Sequence, residues 1–131
     1  MQAAKFIARK PIILNWIITD MSFALPVEKL CETSSLLAFY HPTPAYRIHI
    51  LLVPKKLVPS LLEFDAMAEN QFLLDLYASV KKLVEQFHLA EQGYRLVVNG
   101  GKYQDFPGLH FHLIAECGKA SFTNITHRGI T

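Results

Sequence analysis

The sequence predicts an α+β domain built on an antiparallel sheet. Three observations carry this reading: one long amphipathic stretch at helical spacing, β-rich runs on both sides of it, and short Pro- or Gly-containing turns between those runs. With 131 residues, 51% of them hydrophobic and 18% charged, the chain has the length of one domain and the apolar content to bury a core. No internal repeat, low-complexity tract or glycine-serine linker divides it, so residues 1–131 are read as a single unit.

In chain order, Lys5, Arg9 and Lys10 precede the apolar run Ile12 to Ile18. Pro11 opens that run, Asn15 and Trp16 interrupt it, and it falls far short of the roughly 20 residues that span a bilayer. A short N-terminal helix is expected here, in a cytoplasmic protein without membrane association. Lys29 to Glu32 is a candidate edge strand, and Leu36 to Tyr40 is a strand that ends before the Pro42 to Pro44 turn. Tyr46 to Val53 is β-rich and stops at Pro54.

The long helix is expected over Asn70 to Phe87. Leu73, Leu76, Val80, Leu83, Val84 and Phe87 recur at spacings of three and four, while Asp75, Lys81, Lys82 and Glu85 take the other face. Asp65 suits the cap of a leading turn, and Gly93 ends a Leu89 to Gln92 extension. Tyr94 to Val98 follows directly, and Leu109 to Ala115 starts after the Pro107-Gly108 turn, completing a sheet of about five strands.

Composition removes several functions. Thirteen Lys and Arg against eleven Asp and Glu leave a net charge of +2, too near balance for the field that tight duplex nucleic-acid binding needs. Cys31 and Cys117 stand far apart without a Cys-x-x-Cys pair, which excludes a disulfide scaffold and a four-cysteine zinc site and fits reduced intracellular thiols.

The chemical signal lies in the histidines. His110 and His112 are one residue apart in a strand, so both imidazoles point to one face about 6.8 Å apart along it, while Leu109, Phe111 and Leu113 point to the other, toward the helix. In the earlier strand Tyr46, Ile48, Ile50 and Leu52 alternate onto the face opposite Arg47, His49 and Leu51, so His49 joins the pair if the two strands are neighbours. Imidazole near neutral pH serves as nucleophile, general base, proton donor or metal ligand, and spacing alone does not choose among them. A half-buried histidine is also commonly just a polar residue bonded to a backbone carbonyl. A three-histidine metal site of His49, His110 and His112 in a small barrel is a further alternative, which the long helix fits poorly. His41, His88 and His127 carry no such pattern.

The block Asn99-Gly100-Gly101-Lys102-Tyr103-Gln104-Asp105-Phe106-Pro107-Gly108-Leu109-His110-Phe111-His112-Leu113-Ile114 resembles the signature of the histidine triad superfamily, a His-φ-His-φ-His-φ-φ strand (φ apolar) behind a Gly- and Gln-containing phosphate loop. Gly93 to Asn99 is similar to the strand that leads into that loop, His49 to Lys56 to the family's His-φ-φ-φ-φ-Pro-Lys strand, and Leu36 to Pro44 to the stretch that lines its nucleoside pocket. The similarity spans residues 24–116 in the family's order.

The resemblance implies that His110 is the nucleophile, His112 the phosphate-binding or leaving-group histidine and His49 their partner. Asn99, Gly101 and Gln104 with the loop N–H groups would hold the phosphate, and Trp16, Ile17, Phe39 and Pro42 the base; the alternatives are a turn role for Gln104 and plain core roles for Ile17 and Phe39. Three site positions depart from the family pattern: Gly108 stands at the first triad histidine, Asp105 where the hydrolytic branch carries Ser or Thr, and His41 where an acidic residue grips the ribose. Lys55 and Lys56 are candidates for steering anions, or plain solvated charge. The activity implied is hydrolysis or transfer at the α-phosphate of a nucleoside phosphoramidate or dinucleoside polyphosphate through a nucleotidyl-histidine, with no metal and no cofactor. The alternative is a non-catalytic nucleotide sensor or interaction module that has lost the full triad. A homodimer is implied as well, and a monomer by light scattering would count against it.

Overall fold

The computed structural model describes residues 28–116. The expected N-terminal helix with Trp16 and Ile17, Cys117 and the tail 118–131 lie outside the described residues. Five strands form one antiparallel sheet: β1 (Lys29–Glu32), β2 (Leu36–Tyr40), β3 (Ile48–Pro54), β4 (Arg95–Val98) and β5 (Phe111–Ala115). Their spatial order is β1-β2-β3-β5-β4, so the last strand in sequence is inserted between β3 and β4. Two helices, α1 (Asn70–Gln86) and α2 (Leu89–Gln92), connect β3 to β4.

One sheet face is a continuous apolar surface. Alternate positions Leu36 and Ala38 of β2, Ile50 and Leu52 of β3, and Phe111, Leu113 and Ala115 of β5 pack against Phe72, Leu76, Leu83 and Val84 of α1. The helical stripe differs from the expected one at its start. Leu73 is 40% exposed and Phe72 is buried in its place. Both satisfy helical spacing to Leu76, but the larger ring reaches Phe64 and Phe111, with centroids 5.7 and 6.1 Å away, and so takes the core position.

Polar residues fix the ends. Asp75, expected to be solvated, accepts from Thr33 Oγ1 at 2.8 Å, Ser35 Oγ at 2.6 Å and Gln71 Nε2 at 2.9 Å, tying the β1–β2 turn to the helix. These bonds, Ser35's first, hold its carboxyl below the ordinary carboxylate range. Asp65 Oδ1 accepts from the Met67 and Ala68 N–H groups, capping the leading turn, whereas Glu69 at the head of α1 makes no side-chain cap. His88 at φ 56° divides α1 from α2, and Gly93 at φ 102° turns the chain into β4.

On the opposite sheet face Leu37, Phe39, Leu51 and Val53 are buried at the β2–β3 end with Phe106 against them. Toward β5 and β4 that face carries the imidazoles. Among the described residues no helix is long and apolar enough to cross a membrane.

Candidate active site

Strand pairing assembles the site. β3 and β5 are neighbours with His49 opposite Ile114 and Leu51 opposite His112, which places the two histidines diagonally on one face. Aromatic side chains span that diagonal, and here His49 Nε2 lies 2.9 Å from His112 Nδ1. His110 is two residues earlier on the same chain, its ring centroid 5.1 Å from that of His112. His41, just past β2, lies tilted against His49 at 4.3 Å.

The hydrogen bonds define which nitrogens carry protons. The Ala45 N–H donates to His49 Nδ1 at 3.1 Å, so that nitrogen presents a lone pair and the neutral ring carries its proton on Nε2. His49 Nε2 then donates to His112 Nδ1, which leaves the His112 proton on its own Nε2. That Nε2–H is buried and has no hydrogen-bond partner among the described residues. His110 has the opposite tautomer. Its Nδ1 lies 2.8 Å from the Gly108 carbonyl, which only accepts, so Nδ1 carries the proton and Nε2 the lone pair.

Burial keeps these rings neutral. It pushes His49 down to about 3, helped by the neighbouring His41 and His112 charges, and His112 down to about 4, helped by His110 and His41. His110 is lowered by burial as well, against the opposing pull of its Gly108 bond and the Asp105 carboxylate. A neutral lone pair on His110 and a buried N–H donor on His112 therefore stand side by side at the start of β5, the pairing that nucleophilic attack on an electrophile bearing anionic oxygens requires.

Beside them a cleft of about 160 Å³ is lined by Ala45, Tyr46, His49, Val97, Asn99, Asp105, His112 and Ile114. Among the described residues no Lys or Arg lines it, and its one formal charge there is the Asp105 carboxylate. His49, His112, Asn99 and Asp105 thus meet at the cleft, with His110 and His41 against its histidines.

Other expected site residues lie elsewhere. Phe39 is fully buried in the apolar cluster, Pro42 is exposed and not among the residues that line the cleft, and Gly101 is exposed at φ 59° where it starts a 3₁₀ turn, Gly101–Tyr103. Gln104 turns its amide inward, Nε2 lying 2.9 Å from the Pro59 carbonyl, 2.9 Å from that of Phe106 and 3.1 Å from that of Gly108. Lys55 is ion-paired with Glu32 at 2.6 Å and Lys56 with Glu69, next to a separate groove. Tyr46 is a correction. Expected on the face opposite His49, it stands edge-on to that ring at 5.2 Å, because residues 45–47 form a bend and β3 begins only at Ile48.

Sequence reasoning passes over Tyr46, Val97, Ile114 and the Ala45 amide as site groups. Val97 and Ile114 are available from cross-strand alternation with His112, whereas a backbone amide leaves no trace in a sequence.

A family model described as HIT domain matches residues 23–118. The chain is 40% identical over 93 residues to an uncharacterized HIT-like protein of Synechococcus elongatus, covering 69% of this chain and 79% of that one. It is 29% identical over 109 residues to the purine nucleoside phosphoramidase of Escherichia coli, covering 81% of this chain and 88% of that one. Among solved structures, the histidine triad nucleotide-binding protein of Candida albicans superposes with a TM-score of 0.64 at 30% identity, covering 73% of this chain and 70% of that one.

Proposed function

The chain belongs to the HIT domain family, and from the oppositely protonated imidazoles of His110 and His112 we propose that it is a nucleotidyl hydrolase or transferase. Its substrate is a nucleoside phosphoramidate or dinucleoside polyphosphate, attacked at the α-phosphorus. The observation that carries this reading is the His110 Nε2 lone pair beside the buried Nε2–H of His112, which has no partner among the described residues. The names of the Escherichia coli relative, a purine nucleoside phosphoramidase, and of the Candida albicans structure, a nucleotide-binding protein, support a nucleotide as ligand.

In the first step the His110 Nε2 lone pair forms a bond to phosphorus, and the pair of the breaking P–N or P–O bond leaves with the departing group, which takes its proton from solvent water. The neutral His112 keeps its Nε2 proton and donates it as a hydrogen bond to a phosphate oxygen. His110 Nδ1–H stays on the Gly108 carbonyl and shares the positive charge its ring acquires. Water then attacks phosphorus, keeping one proton on the new P–OH group and passing the other to solvent, and the P–N bond to His110 breaks with its electron pair on Nε2, so that His110 is released neutral. Asn99 at the cleft wall and the N–H groups of the adjoining loop serve the phosphate oxygens. Asp105 favours an amine leaving group over an anionic one, since no cation among the described residues lines the cleft to receive the latter. The same reading carries a homodimer covering exposed Leu73 and Tyr77 of α1 and Leu96 of the edge strand β4.

The deciding experiment follows hydrolysis of adenosine 5′-phosphoramidate at neutral pH by the parent and by His110→Ala. Turnover by the parent with loss of at least ~10³-fold in the variant is expected. Equal turnover by both would remove His110 from the chemistry. A second reading, a nucleotide sensor without turnover, is favoured by the departures at Gly108, Asp105 and His41. Adenosine monophosphate bound without phosphoramidate turnover would establish it.

A further inference from the structure

The carbonyl that orients the nucleophile belongs to a residue with no side chain. Gly108 sits at φ 118°, a conformation open to glycine and strained for the histidine that the triad pattern places there. Its carbonyl nevertheless does a defined job, accepting from His110 Nδ1 at 2.8 Å. A carbonyl oxygen has two lone pairs, and the second is taken by Gln104 Nε2 at 3.1 Å.

The surroundings extend the clamp. The two N–H groups of the Gln104 amide are shared among three carbonyls, those of Gly108, Phe106 and Pro59. Pro59 and Val58 also accept the backbone N–H groups of Gly108 at 3.1 Å and Leu109 at 2.7 Å. The Gly108–Leu109 peptide is thereby held at its N–H end by Val58 and at its C=O end by Gln104, with His110 as the third party to the bond network. Phe106, whose carbonyl the amide also meets, lays its ring 5.7 Å from that of His110.

We propose that Gln104 is a positioning residue for the nucleophile: through the Gly108 carbonyl it fixes His110 in the Nδ1–H tautomer, supplying from the loop the ordering that a side chain at position 108 does not provide. This rests on the reading of His110 as nucleophile, but its direct consequence is a proton position, measurable without turnover. It also assigns Gln104 a role away from the phosphate, because its donors are committed to backbone.

Gln104→Met keeps the side chain's length and removes both donors, and Gln104→Ala removes them where Met impairs folding. Two-bond proton–nitrogen imidazole spectra of the full chain at neutral pH read the tautomers. The parent is expected to show His110 as Nδ1–H with His49 and His112 as Nε2–H. In the variant His110 populates both tautomers, His49 and His112 keep theirs, and phosphoramidate kcat falls roughly 10-fold with KM little changed. An unchanged His110 tautomer in a folded variant overturns the proposal, even if thermal stability drops, because Gln104 would then be only a turn residue. A parent that shows the tautomer response but no turnover would instead refute the proposed activity and leave the clamp standing.

Discussion

The two faces of the sheet are drawn from alternate residues of the same strands, yet they answer to different forces. On the α1 side, Ile50, Leu52, Phe111 and Leu113 are held by shape and apolar burial, and an apolar side chain of similar volume would serve there. On the other side, His49, His110 and His112 are also buried or half-buried, but each is specified by where its proton sits. Strand β5 belongs to both, Phe111, Leu113 and Ala115 closing the core while His112 and Ile114 line the cleft. One face is therefore sensitive to volume and the other to hydrogen-bond direction.

A pair of substitutions separates the two sensitivities. Leu83→Ala removes a fully buried side chain under the sheet and is expected to cost about 2–5 kcal/mol of stability, while activity per folded molecule stays near the parent's. His49→Phe keeps ring volume but deletes the donor to His112 Nδ1, so His112 no longer has a defined Nε2–H. Activity should fall roughly 10²-fold for a stability loss of about 1 kcal/mol. Denaturant melts beside steady-state rates check both. If Leu83→Ala lowered activity per folded molecule as strongly as His49→Phe, the two faces would not be separable in this way.

Acid should act through the imidazole face. His49 and His112 have native pKa values of about 3 and about 4, below the ordinary 6.5, so between those limits the unfolded chain binds protons that the folded chain refuses. Stability is therefore complete above pH 6.5 and declines as pH falls toward 4, by about 1.4 kcal/mol per pH unit for each such ring. Asp75, whose carboxyl is held below its ordinary 3.8, contributes its loss only at lower pH. Thermal melts from pH 7.5 to 4.5 should show the decline, and His49→Phe should flatten it by removing one ring. A Tm independent of pH over this range would mean that the imidazoles are not kept neutral by burial.

The same contrast governs what the sequence discloses. The core face is legible because apolar side chains at period two and at three-four spacing follow from one-sided burial and from little else, and the Phe72 for Leu73 exchange is a local matter of ring size. The histidine pair is legible because the His-x-His spacing forces both rings onto one face. The tautomers are not, since they are set by the Ala45 N–H and the Gly108 carbonyl, groups that nearly every residue possesses. Tyr46 is misplaced for a related reason. Alternation is carried through a stretch that bends, and the bend brings its ring against His49. For Gln104 residue type leaves phosphate and a turn role equally open, and its partners, three carbonyls contributed by two separate segments of the chain, are not legible from it.

A smaller and more selective effect belongs to Asp105, the one charged residue among the described ones that line the cleft. Asp105 is exposed, and a unit charge about 4–6 Å from it at a water-like dielectric is worth on the order of 1 kcal/mol, attractive for an ammonium and repulsive for a phosphate. Asp105→Asn preserves shape and removes that charge. The variant should process an aminoalkyl phosphoramidate, whose leaving group bears a second, cationic amine, several-fold more slowly, and a dinucleoside polyphosphate several-fold faster. The ratio of kcat/KM values for the two substrates should then shift by roughly 10-fold or more, a change that cancels any common loss from altered folding. A ratio unmoved by the substitution would show that the carboxylate points away from the departing group, and that selectivity at this end of the cleft is set by shape, as on the other face of the sheet.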